Sequence, residues 1–236
     1  MIERIFTEPV LPEHGIEAQK IRALFQAYGT GYDFCKFFKQ GSAVLAYLDG
    51  SCVLYCDNNA DFSELSDFLQ VNGFSDLFCS EDVADMLSKY IPADYQKVIS
   101  MKFSGNSCPA DIREANSLSD LFSIVSTGFD IEFEPWYLDM SHRIRHGVTR
   151  AFQLDEKAAL VVQHNINGEA LLSQIAVVPN FRGNGYASKL IRAVCSILSP
   201  SECYVICEPK LLSFYERVGF EPCGEYCIVS HLKTDK

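Results

Sequence analysis

The 236-residue sequence lacks features that mark several classes of protein. Its apolar runs are all shorter than the roughly 18 residues that suggest a membrane span. The N-terminus has no basic segment followed by an apolar one, so no secretory signal is expected. Basic residues are scarce, since 20 Lys and Arg stand against 31 Asp and Glu. The resulting net charge of −11 disfavours nucleic acid and anionic lipid as partners. We therefore expect a cytoplasmic protein that binds neither nucleic acid nor membranes.

Apolar residues and cysteine, in contrast, are plentiful. The chain is 48% hydrophobic and 12% aromatic, which is enough to build a core and argues against intrinsic disorder. Some of the ten cysteines are spaced C-x-x-x-C, as in Cys52/Cys56, Cys203/Cys207 and Cys223/Cys227. These pairs lie in strand-like runs, whereas zinc ligands usually come from turns at tighter spacing. We interpret the cysteines as buried thiols and expect no metal site.

The first hundred residues alternate helix and strand signals. Two apolar runs, 43–48 and 52–56, are joined by Asp49-Gly50, which is a strong hairpin signal. The small polar segment 104–109 ends in proline and is the best candidate for a linker. We predict a smaller α/β domain at residues 1–105 and a second domain at residues 106–236.

The second half predicts a mixed α/β sheet. Two helices come first, the earlier one starting at Ser117 with Asp120 as its capping-box partner. Three strands follow, and then helix, strand, helix and strand alternate to the end. An apolar stripe marks the helix at about 184–198, which predicts one parallel crossover.

A faint similarity links the two halves. Residues 52–56 (CVLYC) resemble 203–207 (CYVIC), and 68–74 (FLQVNGF) resemble 214–220 (FYERVGF). Either this is chance, or both halves share one architecture and the first half has lost its ligand site.

The most informative stretch is 171–198, where a strand, a glycine-bearing turn and a helix follow one another. Glycines let backbone N–H groups approach a ligand, and a helix N-terminus adds unpaired donors and partial positive charge. Together they form a phosphate cradle, to which Arg182 could add a charged contact. Neither the Walker loop nor the dinucleotide-binding fingerprint is present.

Residues 175–188 (IAVVPNFRGNGYAS) resemble the acyl-CoA site of the GNAT superfamily of N-acetyltransferases. The family pattern Arg/Gln-x-x-Gly-x-Gly/Ala is matched by Arg182, Gly185 and Ala187. The segment 214–220 is similar to the family's Phe/Leu-Tyr-x-x-x-Gly-Phe, and 112–115 to its first strand. The resemblance covers roughly 110–230. It implies a twisted, mainly antiparallel sheet with flanking helices, preceded here by a domain that could be a degenerate copy.

The resemblance also implies roles for particular residues. Backbone groups of the strand would pair with the pantetheine arm of the donor, and backbone N–H groups of the turn would hold its diphosphate. The Val177 N–H would stabilise the oxyanion, and Tyr215 would protonate the leaving thiolate. The cofactor-binding residues implied are Ile175, Ala176, Val177, Arg182, Gly183, Asn184, Gly185, Tyr186, Ala187 and Ser188.

The general base is less clear. Glu208 stands where the family often has an asparagine, and the strand carries no family-type glutamate, so the base is Glu208, Glu132, Glu134 or a water chain. The segment 129–136 corresponds to the family's acceptor loop. Its acids and aromatics, with Glu132, Glu134 and Trp136 as candidate substrate contacts, suit a cationic amine. The competing interpretation is a helix N-terminus with favourable acids.

We therefore predict an enzyme that transfers an acetyl group from acetyl-CoA directly to a primary amine of a small molecule or peptide. No metal is needed. The alternative is a non-catalytic acyl-CoA sensor or interaction module that has kept the donor site. The sequence also leaves a homodimer open.

Overall fold

The computed structural model describes residues 1–57, 59–106, 108 and 111–231. The chain divides into two compact units: Met1–Ile99 with Gly224–Lys236, and Ser100–Cys223. Ser107 and Pro109 of the predicted linker lie outside the described residues. The assignment of 1–105 and 106–236 as separate domains stays a prediction.

The first half of the chain forms six strands and three helices within the described residues. Gly29 and Gly73 end the first two helices, each with its N–H on a carbonyl of the last turn. The elements are β1 (Glu3–Ile5), α1 (Ile16–Tyr28), β2 (Cys35–Gln40), β3 (Ala43–Leu48), β4 (Ser51–Tyr55), α2 (Phe62–Asn72), β5 (Asp76–Ser80), α3 (Glu81–Leu87) and β6 (Asp94–Phe103).

The second half follows the predicted order of elements. Ser117 caps α4 as expected, its hydroxyl accepting from the Asp120 N–H at 3.2 Å. The elements are β7 (Arg113–Glu114), α4 (Leu118–Val125), α5 (Phe133–Arg145), β8 (Arg150–Leu154), β9 (Ala158–Ile166), β10 (Glu169–Val177), α6 (Tyr186–Leu198), β11 (Glu202–Cys207), α7 (Leu212–Val218) and β12 (Phe220–Ser230).

Each unit contains a mixed, mainly antiparallel sheet with helices, so the predicted fold class is confirmed. In the first unit β1 to β5 lie in sequence order, followed by β12, whose Cys227 pairs with Cys79 of β5. In the second unit the order from the edge is β7-β8-β9-β10-β11-β6. β6 and β12 each contribute residues to both units.

The two units share one topological unit, a hairpin followed by a parallel crossover. In the first, β3 pairs antiparallel with β4, and α2 then leads to the parallel β5. In the second, β9 pairs antiparallel with β10, and α6 leads to the parallel β11. The similarity between 52–56 and 203–207 therefore matched the wrong elements, because β4 occupies the place of β10 and not that of β11.

The cysteines lie mostly within the cores, and no disulfide joins any of the ten. Cys52, Cys79 and Cys227 pack in the core of the first unit. In the second unit, Leu190, Ile191 and Val194 of α6 are completely buried. This burial fixes the helix whose N-terminus matters below.

A glycine pair sets the start of β12 within the second unit. The Gly219 carbonyl accepts from the N–H groups of Ser104 and Gly105, each at 2.9 Å. A Cβ at Gly219 would lie 2.7 Å from the Gly105 Cα, and Gly219 has φ +114°. Both the close approach and the backbone conformation require glycine.

Gly219→Ala should therefore destabilise the protein by about 3 kcal/mol, through backbone strain and a backbone clash. The single tryptophan, Trp136, is buried in the second unit, so urea unfolding followed by its fluorescence reports the change. Gly168→Ala is the matched control. Gly168 also has positive φ but open space around it, so the cost there should be about 1 kcal/mol. Equal losses in the two variants would contradict the close-approach argument.

Candidate functional site

The site begins where two parallel strands diverge. The pairing of β10 with β11 runs from Glu169↔Glu202 to Leu172↔Val205, whereas β10 continues to Val177 and β11 to Cys207. A register shift interrupts the β9 pairing between Ser173 and Ala176, and Gln174 within it has φ 46°. The end of β10 thus has a backbone edge that the described part of β11 does not pair with.

The Val177 N–H faces this unpaired edge. The next N–H, that of Val178, donates to the Lys157 carbonyl at 2.9 Å, on the β9 side. Successive backbone amides of a strand point to opposite sides. The Val177 N–H therefore points away from β9, where an extended ligand could pair with it.

The turn after β10 leads into α6 without a side-chain cap. Gly183 and Gly185 have φ +78° and +79°, and Gly185 is the N-cap residue of α6. The first intrahelical bond runs from the Lys189 N–H to the Gly185 carbonyl. The N–H groups of Tyr186, Ala187 and Ser188 precede it, so they are available to an anion.

The corresponding helix of the first unit is closed by its own side chains. The Asp61 carboxylate caps α2 by accepting from the Glu64 N–H at 3.1 Å. Gln40 in turn donates to the Glu64 carboxylate at 2.7 Å. A carboxylate already occupies the position that an anion would take at α2, so the two crossover helices differ at the point that matters for anion binding.

A cleft of about 450 Å³ lies over the N-terminus of α6. Its lining includes two arginines and three aromatic side chains but no carboxylate, although the chain carries a net charge of −11. The lining residues are Val177, Phe181, Arg182, Gly183, Gly185, Tyr186, Ala187, Ser188, Phe214 and Arg217.

A second cavity, of about 540 Å³, has the opposite electrostatic character. It is lined by Glu114, Asp120, Asp155 and Glu156 with one arginine, Arg113. Anions are therefore attracted to the α6 cleft and not to this larger cavity.

Arg182 braces the turn. Its Nε donates to the Val177 carbonyl at 2.9 Å and its Nη2 to the Thr127 carbonyl at 2.8 Å. The guanidinium thereby ties the end of β10 to the loop after α4. The sequence predicts that Arg182 contacts the ligand. In the structure its Nε and Nη2 instead donate to carbonyls of the protein itself.

Lys157 supports the same turn, a role that sequence reasoning missed. Its ammonium lies 5.4 Å from the Phe181 ring centroid and 5.3 Å from that of Tyr186. It also contacts Asp155 at 3.3 Å. Hydrogen bonds to Asp155 and Tyr186 raise the pKa of Lys157, which keeps it cationic. Lys157 lies between β8 and β9, more than twenty residues before Phe181 and Tyr186. No sequence motif links such distant positions, so this contact was not predictable.

Tyr215 lies beyond the end of β11, on α7. The side chain is buried, and its ring packs edge-on against Phe220 at 5.5 Å. Burial, together with the nearby Cys207 thiol, raises the pKa of Tyr215 to about 12. The phenol is therefore neutral at physiological pH, and among the described residues its hydroxyl has no hydrogen-bond partner.

Glu208 follows β11 directly and starts a short 3-10 turn at Pro209–Leu211. Its carboxylate is ion-paired with Lys210 at 2.6 Å. Glu208 and Tyr215 thus both lie near the end of β11, and the Glu208 carboxylate already has a cationic partner.

The predicted acceptor residues fall into two groups. Glu132 is the N-cap residue of α5 and Glu134 lies in its first turn, both exposed. Trp136 is only 8% exposed and packs in the core of the second unit. Its indole N–H donates to the Gln174 side chain at 2.9 Å, so it supports the irregular segment of β10. A substrate contact for Trp136 stays a prediction.

The described residues contain no group of three or more His, Cys, Asp or Glu placed to hold a metal ion. None of the helices described is both long and apolar enough to cross a bilayer.

Residues 146–222 match the family model of an acetyltransferase (GNAT) domain. No curated protein sequence matches the chain. The resemblance of the C-terminal half to GNAT acetyltransferases is thus confirmed on the segment that contains the cleft.

Solved structures with a similar fold cover most of the chain. A GCN5-related N-acetyltransferase from Kribbella flavida has 10% identity and a TM-score of 0.63, covering 92% of this chain and 95% of its own. A GNAT-family protein from Novosphingobium aromaticivorans has 17% identity and a TM-score of 0.54, covering 78% and 86%. A tandem GNAT protein of clavulanic acid biosynthesis has 10% identity and a TM-score of 0.52, covering 91% and 89%. At these identities the likeness shows the fold alone.

Arg182→Lys should loosen the turn even though it keeps the charge, because an ammonium cannot reproduce the fork that binds two carbonyls. We expect the amides of Val178 and Phe181 to exchange with solvent about tenfold faster, since charged hydrogen bonds contribute about 1.5 kcal/mol or more. Hydrogen exchange resolved by residue measures this. Arg192→Lys is the control, because Arg192 binds carbonyls of α7 instead. Unchanged exchange in Arg182→Lys would show that Arg182 does not brace the turn.

Proposed function

We propose that this protein is an N-acyltransferase that moves an acetyl group from acetyl-CoA to the primary amine of a small molecule or peptide. The observation that carries the proposal is the cleft over α6. It combines an uncapped helix N-terminus, two arginines and an acid-free lining with the unpaired edge of β10. A diphosphate fits the N-terminus of α6, and an extended arm with amide groups fits the unpaired edge of β10.

In the proposed complex, the N–H groups of residues 183–188 hold the diphosphate and the end of β10 pairs with the pantetheine arm. The thioester carbonyl then lies near Val177, whose outward N–H stabilises the oxyanion. Arg182 and Lys157 act by fixing the turn, through the contacts described above.

The transfer itself is direct. The amine nitrogen attacks the thioester carbonyl carbon, and the carbon–sulfur bond breaks as the tetrahedral intermediate collapses. The departing sulfur takes the Tyr215 proton, and the proton lost by the amine passes to a base. We assign that base to Glu208 because it shares the end of β11 with Tyr215, which requires the ion pair with Lys210 to open.

The acceptor is expected to be cationic before it loses its proton. Asp130, Glu132 and Glu134 lie at the start of α5, exposed to solvent, and the neighbouring Phe129 and Phe133 are also partly exposed. Acids and aromatic faces attract an ammonium group. Polyamines, aminoglycosides, amino acids and peptide N-termini are the acceptors to compare.

In this proposal the first unit does not bind acetyl-CoA, because the carboxylates of Asp61 and Glu64 lie at the N-terminus of α2, where the diphosphate would have to bind. It would then be a degenerate copy of the second. A cytoplasmic location and a homodimer stay predictions from the sequence.

Release of free thiol from acetyl-CoA, measured with each acceptor in turn, tests the proposal. Saturable release that requires both protein and one class of amine is expected. Saturable binding of acetyl-CoA without turnover of any amine would instead favour the non-catalytic sensor.

Tyr215→Phe should lower kcat by about 100-fold with little change in KM for acetyl-CoA, because a placed acid contributes about that much to the rate. Steady-state kinetics with the identified amine measures this loss. Tyr204→Phe is the control, since Tyr204 lies on β11 but donates to Glu202. An unchanged kcat in Tyr215→Phe would remove this residue from the mechanism.

The pH dependence should not come from Tyr215. A pKa raised to about 12 keeps the phenol protonated throughout the working range. The ratio of wild-type to Tyr215→Phe kcat should therefore stay constant between about pH 7 and 9. A ratio that falls across this interval would mean that the phenol loses its proton near neutral pH.

A further inference from the structure

The last turn of α5 carries two histidines that the proposed reaction does not use. His142 and His146 are four residues apart, so their side chains lie on the same face of the helix. The centroids of their rings are 4.4 Å apart, with 28° between the ring planes. His142 is half-buried and His146 is exposed. Two imidazoles therefore stand side by side at the surface of the second unit.

The backbone that carries these rings is held by hydrogen bonds. The His146 N–H donates to the His142 carbonyl at 3.1 Å, and the Val148 N–H donates to the Arg143 carbonyl at 3.0 Å. The Arg143 side chain, one residue after His142, is itself buried. Because the end of α5 is fixed in this way, the two imidazoles need only rotate about their side-chain bonds to face a common ion.

Two arginines lie between the histidines in sequence, and both side chains bind within the protein. The Arg143 Nε donates to the Asp139 carboxylate at 2.7 Å, which offsets its positive charge. The Arg145 Nε donates to the Ser141 carbonyl of the same helix at 3.2 Å. Neither guanidinium therefore depends on the imidazoles for a partner.

Paired imidazoles of this spacing are ligands for zinc and similar metal ions. Each neutral ring gives one nitrogen, so the pair fills two of the four positions of a tetrahedral Zn²⁺ ion. In the part of the chain that the structure describes, no third His, Cys, Asp or Glu is placed to complete such a group. The pair is thus half of a tetrahedral site.

A second copy of the chain supplies the matching half. In a two-fold symmetric dimer the same surface of both copies meets at the axis, so an ion on that axis contacts both histidine pairs. Leu138 lies one turn before His142 on the same face and is 68% exposed, and contact between the two helices would bury it. Each copy carries a net charge of −11, so a bridging cation also offsets their mutual repulsion.

We propose that His142 and His146 form half of a zinc site that a second copy of this chain completes, so that Zn²⁺ assembles the protein into a dimer. The inference does not rest on the proposed function. Neither histidine lines the α6 cleft, and the ion takes no part in the transfer.

Sedimentation velocity of the full chain, with EDTA and then with zinc chloride, tests this proposal under a phosphine reductant. We expect the mass to double with Zn²⁺ at one ion per two chains and to return with excess EDTA. Co²⁺ in place of Zn²⁺ should show the intense visible absorption of a tetrahedral cobalt ion.

His142→Ala and His146→Ala should each abolish both the doubling and the cobalt absorption. Both changes are near the surface, and urea unfolding followed by Trp136 fluorescence confirms that the variants fold. His14→Ala is the matched control, because His14 is an exposed histidine of the first unit, and it should retain both signals.

Three results would overturn the proposal. The first is an unchanged mass with Zn²⁺, and the second is uptake of one ion per chain without association. The third is doubling that persists in both His142→Ala and His146→Ala, which would place the zinc ligands elsewhere, such as the exposed thiols of Cys108 and Cys223.

Discussion

Anion binding at the proposed site depends on a helix N-terminus, that of α6, whose first N–H groups have no partner among the described residues. Backbone N–H groups at the start of a helix need partners, and most helices supply one from their own cap residue. In α6 the cap is Gly185, which has no side chain to offer, and the braces from Arg182 and Lys157 act on the turn without covering these N–H groups. In the proposed function, this unsatisfied set of donors, held by the braced turn, binds the diphosphate of the donor.

The first unit has the same topology, but its crossover helix α2 has a side-chain cap at the N-terminus, whereas α6 has none. Both units contain a hairpin, a crossover helix and a parallel strand. In α2 the cap is Asp61, and Glu64 and Gln40 complete a hydrogen-bonded network there. Such a network stabilises the helix and places carboxylates where an anion would otherwise bind. The two units therefore share this topology, and they differ in the N-cap residue of the crossover helix, which is Asp61 in α2 and Gly185 in α6.

Sequence reasoning recovered the features that depend on local chemistry. The glycines of the turn, the apolar stripe of α6 and the cap at Ser117 were predictable because each is set by residues close in sequence. Contacts between distant segments were not. The brace from Arg182 to Thr127, the bond from Trp136 to Gln174 and the pairing of β12 with β5 depend on packing that no local pattern encodes. The similarity between the halves misled for the same reason, because β-strands of like composition occur at several places in one sheet.

The most direct measurement is residue-resolved hydrogen exchange of the full chain with and without coenzyme A. If the N-terminus of α6 binds the diphosphate, coenzyme A should protect the amides of residues 183–188 and Val177, while those at the start of α2 exchange as before. Protection confined to other segments, or none at saturating coenzyme A, would contradict the claim that the N-terminus of α6 binds the diphosphate.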